Sequence, residues 1–194
     1  SSWISVSFTM AYCPAGPTTA ADSDLFRVQI TGPGVNFDHN VGCTGVLGAQ
    51  DFTGLGAITL QQGVEYLMTL TMGQCGTGAY TNVGKAWIDF NQNLQWAEPE
   101  ERLGVVQGAT SPTGIAYSFN FTVSSGAQLG ETRMRVMQWE TTVQESVIPC
   151  ATFSWGSVHD YLVEIALPPD CPPPVDLTTI STNADGAEVA WTST

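Results

Sequence analysis

The sequence predicts an all-β fold, an antiparallel β-sandwich of the jelly-roll or Greek-key type. Apolar and polar residues alternate in several short segments, which is the period of a half-buried strand. Glycine, proline and asparagine separate these segments at short intervals, as they do at turns. Apolar residues at helical spacing do not persist over the roughly 11 residues that would indicate a helix. Short strands that follow one another without helices are typical of sandwiches.

The first segment alternates with unusual regularity and predicts a half-buried strand that could serve in assembly. Its apolar face consists of Ile4, Val6, Phe8, Met10 and Tyr12. Alternation and β-branched or aromatic content predict the other strands, at residues 25–30, 57–60, 64–72, 83–90, 102–107, 116–123, 132–139 and 158–166.

The connections between these strands are predicted from turn residues. Residues 61–63 (QQG) join the strands 57–60 and 64–72 and predict a hairpin between them. The Gly- and Asn-rich segment 31–45 predicts a long loop.

A proline-rich segment marks the clearest boundary in the chain. Residues 168–174 (PPDCPPP) predict a stiff linker, because proline cannot donate to a sheet. Residues 175–181 and 187–193 then predict two strands around a turn. Two strands alone are marginally stable in water, so these need a partner. The expected organisation is a terminal strand at 1–12, a sandwich at 13–167, the linker, and two further strands within 175–194.

Charge excludes some partners. The chain has 194 residues, of which 18 are acidic and 5 basic, for a net charge of -13. Binding to nucleic acid requires clustered Lys and Arg to replace phosphate counterions, and the sequence has no such cluster. No apolar run approaches the roughly 18 residues needed to span a bilayer. We therefore expect neither a nucleic-acid partner nor membrane insertion.

The five cysteines indicate an oxidising, extracellular or cell-surface location. They are widely spaced, and no CxxC pair suggests zinc or redox chemistry. An odd number leaves one thiol free or paired elsewhere. Spacing alone does not settle which cysteines pair.

The segment AWIDFNQNLQWAEPEE at 86–101 contains a candidate calcium site. Asp89, Asn91 and Asn93 stand at alternate positions after an apolar strand, and Glu100 and Glu101 follow where a calcium loop supplies its closing carboxylate. Leu94 occupies the position where such a loop requires glycine, so only weak, extracellular-range affinity is expected. The alternative is that the Asp and Asn side chains cap a turn by bonding to the backbone.

No enzymatic activity is predicted. Ser157, His159 and Asp160 are too close in sequence to form a relay on one strand, because neighbouring residues point to opposite faces. The sequence also lacks the GxSxG and HExxH motifs of hydrolases.

Two further sets of side chains have candidate roles. Arg133 and Arg135 lie two apart on a predicted strand and are expected to pair with Asp160 or Asp89. Trp96 and Trp155 lie in predicted loops beside the candidate calcium site and could stack on a sugar.

Several segments in the same order resemble the GEVED domain of secreted multidomain bacterial proteins. They are YC at 12–13, DFT at 51–53, GVEYLMTLT at 63–71, WIDFNQN at 87–93, TRMRV at 132–136, PC at 149–150 and GSVHDY at 156–161. The resemblance implies the Cys43 and Cys75 disulfide first and the Cys13 and Cys150 disulfide second, which leaves Cys171 unpaired. It also implies Asp160 as a further ligand of the metal site.

Both ends of the chain are similar to fibronectin type III domains. Residues 171–193 resemble the first two strands of such a domain, with Trp191 in its core, and residues 1–13 resemble its last strand. The resemblance implies either a tandem array or a subunit that a neighbouring copy completes by donating a strand. The expected function is therefore a non-enzymatic structural module of a surface fibre, whose partners are copies of itself. The alternative is a carbohydrate-binding module of a secreted hydrolase or adhesin, with glycans as partners.

Overall fold

The structure is a computed structural model that describes residues 11–19, 22–168, 175–183 and 186–192. Within these ranges the chain forms β-strands and two 3₁₀ turns, Thr53–Leu55 and Gln144–Ser146. None of the described residues form a helix long and apolar enough to cross a membrane. The strands are β1 (Gly16–Pro17), β2 (Ser23–Gly32), β3 (Val35–Asn40), β4 (Ala49–Asp51), β5 (Ile58–Gln61), β6 (Glu65–Gln74), β7 (Thr81–Ile88), β8 (Arg102–Ala109), β9 (Ile115–Thr122), β10 (Gly130–Trp139), β11 (Thr152–Phe153), β12 (Gly156–Ala166), β13 (Val175–Asn183) and β14 (Gly186–Thr192).

Two sheets form a sandwich, which confirms the predicted all-β class. Sheet 1 has the strand order β3-β2-β6-β9, and all of its pairs are antiparallel. Sheet 2 has the order β12-β10-β7-β8, again antiparallel. The short strands β4 and β5 both extend sheet 2 by pairing with β12 in parallel.

The core between the sheets follows from strand alternation. Every second residue of β6 and of β12 points inward and is buried, as Met68 and Leu70 are on β6 and Val163 and Ile165 are on β12. Truncation of such a side chain to alanine typically costs about 2–5 kcal/mol.

Sheet 2 is buried on its outer face as well. A second apolar cluster lies there, made of strand residues such as Trp87 and Met137 and of residues from three loop segments. We call these segments, residues 12–17, 94–98 and 143–153, the loop layer. The disulfide between Cys13 and Cys150 joins two of them, and β1 and β11 pair within the layer. Strand β7 is accordingly buried along nearly its whole length.

The two seams of the sandwich, where the edge strands of the two sheets face each other, differ in how closely these strands pack. Strands β8 and β9 belong to different sheets but pack closely, because aromatic rings of β9 lie where β8 has no side chain. A Cβ atom at Gly104 would lie 2.2 Å from the Phe119 ring, and one at Gly108 would lie 2.2 Å from the Tyr117 ring. At the opposite seam, β3 and β5 are the edge strands, and neither pairs with the other.

Two predictions about connections are wrong. The predicted hairpin of 57–60 and 64–72 does not form: β5 pairs with β12, and β6 pairs with β2 and β9. Both strands carry an apolar row that faces the same core, so residues 61–63 carry the chain across the core from one sheet to the other. The predicted loop at 31–45 contains β3, whose alternate residues are half-buried.

Some expectations lie on residues outside the described ranges. Ile4, Val6, Phe8 and Met10 of the predicted assembly strand are among them, as is Cys171. Strands β13 and β14 form an antiparallel pair, at the position of the two predicted terminal strands. The assignment of this pair to a fibronectin-like sandwich stays a prediction.

A buried histidine makes the sandwich sensitive to acid. His159 points into the core, where its Nδ1 lies 3.2 Å from the Tyr161 hydroxyl, and its Nε2 has no partner among the described residues. The same hydroxyl lies 3.1 Å from Nδ1 of His39 on β3. Burial, and secondarily the charge of His39, lowers the pKa of His159 to about 3.

We predict that His159→Gln flattens the acid dependence of stability. The unfolded chain binds a proton at His159 below about pH 6.5, whereas the folded chain does not until about pH 3. The free energy of unfolding of the parent therefore falls, relative to the variant, by up to about 1.4 kcal/mol per pH unit as the pH drops through this window. Urea unfolding from pH 7 to pH 4 measures the difference.

His39→Gln is the matched control. His39 is only partly buried, and burial lowers its pKa as well. Its replacement is expected to change the slope in the same direction but less. Parallel stability curves for the parent and His159→Gln across this range would contradict the prediction.

Candidate functional site

The acidic loop runs from Asp89, directly after β7, to Glu101, directly before β8. The Asp89 carboxylate is buried and organises the loop through three hydrogen bonds. Its Oδ2 accepts from the Tyr12 hydroxyl at 2.8 Å and from the backbone N–H of Leu94 at 2.9 Å. Its Oδ1 accepts from the N–H of Asn93 at 3.1 Å. Two of the three hydrogen bonds of Asp89 therefore fix the backbone of the loop that begins with it.

The two asparagines continue this pattern. Asn91 Oδ1 accepts from the N–H of Asn93 at 3.1 Å, and Asn93 Oδ1 accepts from the N–H of Gln95 at 2.8 Å. These are the local side-chain to backbone bonds that Asx residues make in turns. Gln92 and Leu94 have positive φ values of 54° and 64°. Leu94 thus adopts a left-handed backbone conformation, which glycine adopts more readily than leucine.

Glu101 closes the loop. Its Oε1 accepts from the N–H of Asn91 at 3.3 Å, and its Oε2 accepts from the N–H of Ala97 at 2.8 Å. Burial raises the pKa of Glu101 above its ordinary value. Glu100 is exposed and lines a cavity of about 200 Å³ together with Asn91 and Glu101.

The structure brings together most, but not all, of the predicted calcium ligands. Asp89, Asn91, Asn93, Glu100 and Glu101 share one loop, whereas Asp160 on β12 contacts arginines instead. Among the described residues, no three His, Cys, Asp or Glu side chains are grouped so that they could hold a metal ion. Calcium binding stays a prediction.

Asp160 and Arg135 form a buried, bidentate ion pair on the outer face of sheet 2. Arg135 Nε and Nη2 donate to the two oxygens of Asp160, each at 2.7 Å. Arg135 Nη1 donates to the carbonyls of Cys13, at 2.9 Å, and Pro149, at 2.8 Å. One guanidinium therefore binds β12 and both loop segments that the Cys13–Cys150 disulfide joins.

Arg133 and Tyr12 connect this pair to the acidic loop. The Arg133 guanidinium lies 4.9 Å from the centre of the Tyr12 ring and 3.6 Å from an Asp160 oxygen. Burial, with a contribution from Asp89, raises the pKa of Tyr12 to about 12. Tyr12 therefore stays protonated and donates its hydroxyl to Asp89. The expected pairing of the two arginines with Asp160 is present.

The two candidate sugar-stacking tryptophans differ. Trp96 is only 9% exposed, because it packs under Tyr12 at a ring-centre distance of 4.9 Å and lies 5.2 Å from the Arg135 guanidinium. This burial leaves little of the Trp96 ring for a sugar to stack on, because the loop that carries it covers sheet 2. Trp155 is 40% exposed and remains available.

The remaining predicted residues have separate partners. Both implied disulfides are present, Cys13–Cys150 and Cys43–Cys75. Ser157 Oγ accepts from the N–H of Leu25 at 2.7 Å, whereas His159 contacts Tyr161 and Asp160 contacts Arg135. Ser157, His159 and Asp160 thus make no hydrogen bonds to one another.

Sequence reasoning missed a second charged group, formed by Lys85, Glu98 and Arg102. Glu98 lies 3.6 Å from the Lys85 ammonium and 2.9 Å from the Arg102 guanidinium. The signal was available, because Lys85 is the only lysine of the chain and interrupts an otherwise uncharged strand.

One known family matches part of this chain. Residues 83–164 match the family model of the GEVED domain. The matched region runs from β7 into β12 and therefore includes the acidic loop, Arg135 and Asp160. A search among curated proteins finds no match.

Three solved structures are distantly similar to this chain. The CARDB domain of a Pyrococcus furiosus protein, solved with di-metal ions, is 12% identical over 86% of this chain and 100% of that chain, with a TM-score of 0.39. A family 123 glycoside hydrolase from Clostridium perfringens is 13% identical over 57% of this chain and 23% of that chain, with a TM-score of 0.35. The N-terminal domain of PorA is 13% identical over 71% of this chain and 96% of that chain, with a TM-score of 0.30. Likeness at this level carries no functional argument.

We predict that Arg135→Met lowers the free energy of unfolding by about 3–5 kcal/mol, because it leaves the Asp160 carboxylate buried without its bidentate partner. Arg133→Met is the matched control on the same strand. Arg133 is partly exposed and lies farther from Asp160, so its replacement is expected to cost less than about 1 kcal/mol. Urea unfolding with the disulfides intact measures both. Equal losses in the two variants would contradict the prediction.

Proposed function

We propose that this chain, whose residues 83–164 match the GEVED domain, is a non-enzymatic structural module of an extracellular assembly. Copies would join by strand complementation, in which a strand of one copy enters the sandwich of the next. The observation that carries the proposal is the open seam between β3 and β5. The GEVED match, the sandwich fold and the two disulfides support an extracellular-type module.

The open seam has two unpaired strand edges. Among the described residues, β3 pairs only with β2, and β5 pairs only with β12. A groove of about 310 Å³ lies between them, lined by residues 34–37 and 55–59. Unpaired N–H and C=O groups at a sheet edge are a template for an incoming strand.

The groove lacks charge in a strongly acidic chain. Residues 34–37 and 55–59 contain no Asp, Glu, Lys or Arg. The alternating segment 1–12 likewise contains none, so a copy of it could approach the groove without desolvating an unpaired charge. The six residues of β3 would pair with about 20 Å of extended chain, and the segment from Ile4 to Met10 is long enough.

The alternative function, binding of carbohydrate, rests on the exposed ring of Trp155. It is the weaker proposal because Trp96, the second candidate ring, is buried. A single exposed tryptophan needs no functional explanation on its own.

We predict that the chain self-associates and that charge in the groove prevents it. Leu55 is 56% exposed at the groove, so Leu55→Asp introduces charge there without changing the core. Phe8→Asp introduces charge in the proposed donor segment. Each is expected to weaken association at least tenfold, because the strand would bury an unpaired carboxylate. Sedimentation velocity over a range of concentrations measures association, and electron microscopy detects polymers.

Leu129→Asp is the matched control for this experiment. Leu129 is 50% exposed and lies outside the groove, so its replacement is expected to leave association unchanged. A parent chain that remains monomeric at millimolar concentration would refute the proposal. Association that Leu129→Asp weakens as much as Leu55→Asp would refute the assignment of the groove.

We also propose that the acidic loop binds calcium weakly, with Glu100 as a ligand that is free to turn toward an ion. A site with a Kd of about 1 mM would stabilise the fold by about 1.4 kcal/mol at about 10 mM calcium, which raises the Tm by about 3–6 °C. Glu100→Gln is expected to remove this increase, and Glu131→Gln, an exposed glutamate of β10, is expected to keep it. A Tm that neither calcium nor excess chelator changes would exclude the site.

A further inference from the structure

An aromatic cluster beside the open seam joins edge strand β3 to sheet 2. His39 pairs with Val28 of β2 and, like Val28, points toward the core, where its ring meets the side of the Phe52 ring at a centre distance of 4.4 Å. Tyr161 of β12 stacks on Phe52 and meets Phe37 of β3 edge-on. The contact between β3 and β12 therefore runs through rings that are buried or half-buried.

One hydroxyl connects the two histidines of this cluster. The Tyr161 oxygen lies 3.1 Å from Nδ1 of His39 on β3 and 3.2 Å from Nδ1 of His159 on β12. A tyrosine hydroxyl carries a single proton, so with both imidazoles neutral it donates to one of these nitrogens and accepts from the other. The three side chains therefore form a directed chain of hydrogen bonds from a strand of sheet 1 to a strand of sheet 2.

Burial of His159 sets the direction of this chain. Its Nε2 has no partner among the described residues, and a buried N–H without an acceptor is rarer in proteins than a buried acceptor without a donor. The count of donors and acceptors therefore assigns the proton of His159 to Nδ1, which donates to the Tyr161 oxygen. The Tyr161 hydroxyl in turn donates to Nδ1 of His39, and the neutral His39 ring carries its own proton on Nε2.

A proton added to His39 conflicts with this chain. It enters at Nδ1, the nitrogen without a proton, so that two N–H donors face the Tyr161 oxygen. The hydroxyl of Tyr161, a residue only 1% exposed, then loses its acceptor inside the core. Burial lowers the pKa of His39, and the charge of Asp38 opposes this shift. Acid therefore favours a conformation in which the His39 ring has left the cluster.

The charged residues of the neighbouring strands do not supply a counter-charge to His39. Those of β2, β3, β4 and β12 have partners elsewhere: Asp24 contacts Thr44, Arg27 contacts Asp38, Asp51 contacts Thr53, Asp160 contacts Arg135 and Glu164 contacts Thr59. Residues 52–61, which include β5, contain no charged side chain. The titratable groups that face His39 from these elements are therefore Tyr161 and His159.

We propose that the hydrogen-bond chain from His159 through Tyr161 to His39 is an acid-sensitive latch, which holds edge strand β3 against sheet 2 at neutral pH and releases it when His39 is protonated. The latch acts within one copy of the chain. It is independent of strand complementation, so either proposal can fail alone.

Hydrogen exchange of the full chain at pH 7.5 and pH 5, with the disulfides intact, tests the latch. After correction for the intrinsic pH dependence of exchange, protection of the β3 amides is expected to fall about tenfold at pH 5, because the released strand binds a proton at His39 that the latched strand excludes. Strand β9, the other edge strand of sheet 1, is the internal reference and is expected to keep its protection. An equal loss in β3 and β9, or no loss in β3, would overturn the proposal.

Two substitutions on β3 identify the group that titrates. His39→Gln is expected to remove the loss of protection, because glutamine does not titrate in this range. Asp38→Asn is the matched control: the hydrogen bond from Arg27 holds the pKa of Asp38 below its ordinary value, so the loss between pH 7.5 and pH 5 is expected to remain. A loss that persists in His39→Gln would assign the effect to another group and overturn the proposal.

The imidazole nitrogens give a second readout. At pH 7.5, ¹⁵N NMR is expected to show the proton of His159 on Nδ1 and that of His39 on Nε2. Tyr161→Phe removes the hydroxyl that donates to neutral His39, so the pKa of His39 is expected to rise toward its ordinary value of about 6.5. Protons on Nε2 of both rings, or a His39 pKa that Tyr161→Phe leaves unchanged, would overturn the proposal.

Discussion

The buried ion pair between Arg135 and Asp160 is the contact on which the outer half of the molecule depends. A guanidinium removed from water must have its donors satisfied, and Arg135 does this with Asp160 and with the carbonyls of Cys13 and Pro149. Those carbonyls belong to the segments that the Cys13–Cys150 disulfide joins. Arg135 therefore positions both segments through its hydrogen bonds, and the Cys13–Cys150 disulfide joins the same two segments covalently. Trp96 then packs over the same guanidinium.

Because sheet 2 is buried on both faces, its outer face carries buried polar side chains such as Arg135 and Lys85. Sheet 1 exposes its outer face, so polar residues there need only water. Sheet 2 has no such outlet, and each polar side chain under the loop layer must find a partner within the protein. Among the described residues, Arg135 donates four hydrogen bonds to oxygen atoms, whereas Lys85, on the same face, donates one. Arg135 therefore holds the loop layer in place, whereas Lys85 faces a cavity.

Strands that are determined by local alternation were predicted from the sequence. Strand pairings and burial that depend on segments distant in sequence were not. Strands β2, β6, β9 and β12 followed from alternation, because one face of each is buried between the sheets. Strand β3 was missed because its turn-forming residues resemble a loop, and the parallel pairing of β5 with β12 leaves no local signal. In the acidic loop, the sequence left calcium and backbone capping open, because both use the same spacing of oxygens. The burial of Trp96 depends on Tyr12, which is distant in sequence.

The net negative charge of the chain limits what can approach its surface closely. A chain with a net charge of -13 repels its own copies, so a contact between copies must be free of further negative charge. The seam between β3 and β5 meets this requirement, since the residues that line its groove are uncharged. A negatively charged ligand faces the same repulsion and requires a local excess of cations. The cavity that Lys85 and Arg102 line does not have this excess, because Glu98 and Glu145 line it as well. The proposed contact between copies at the seam is therefore compatible with the charge of the chain, because the residues that line the groove add no carboxylates.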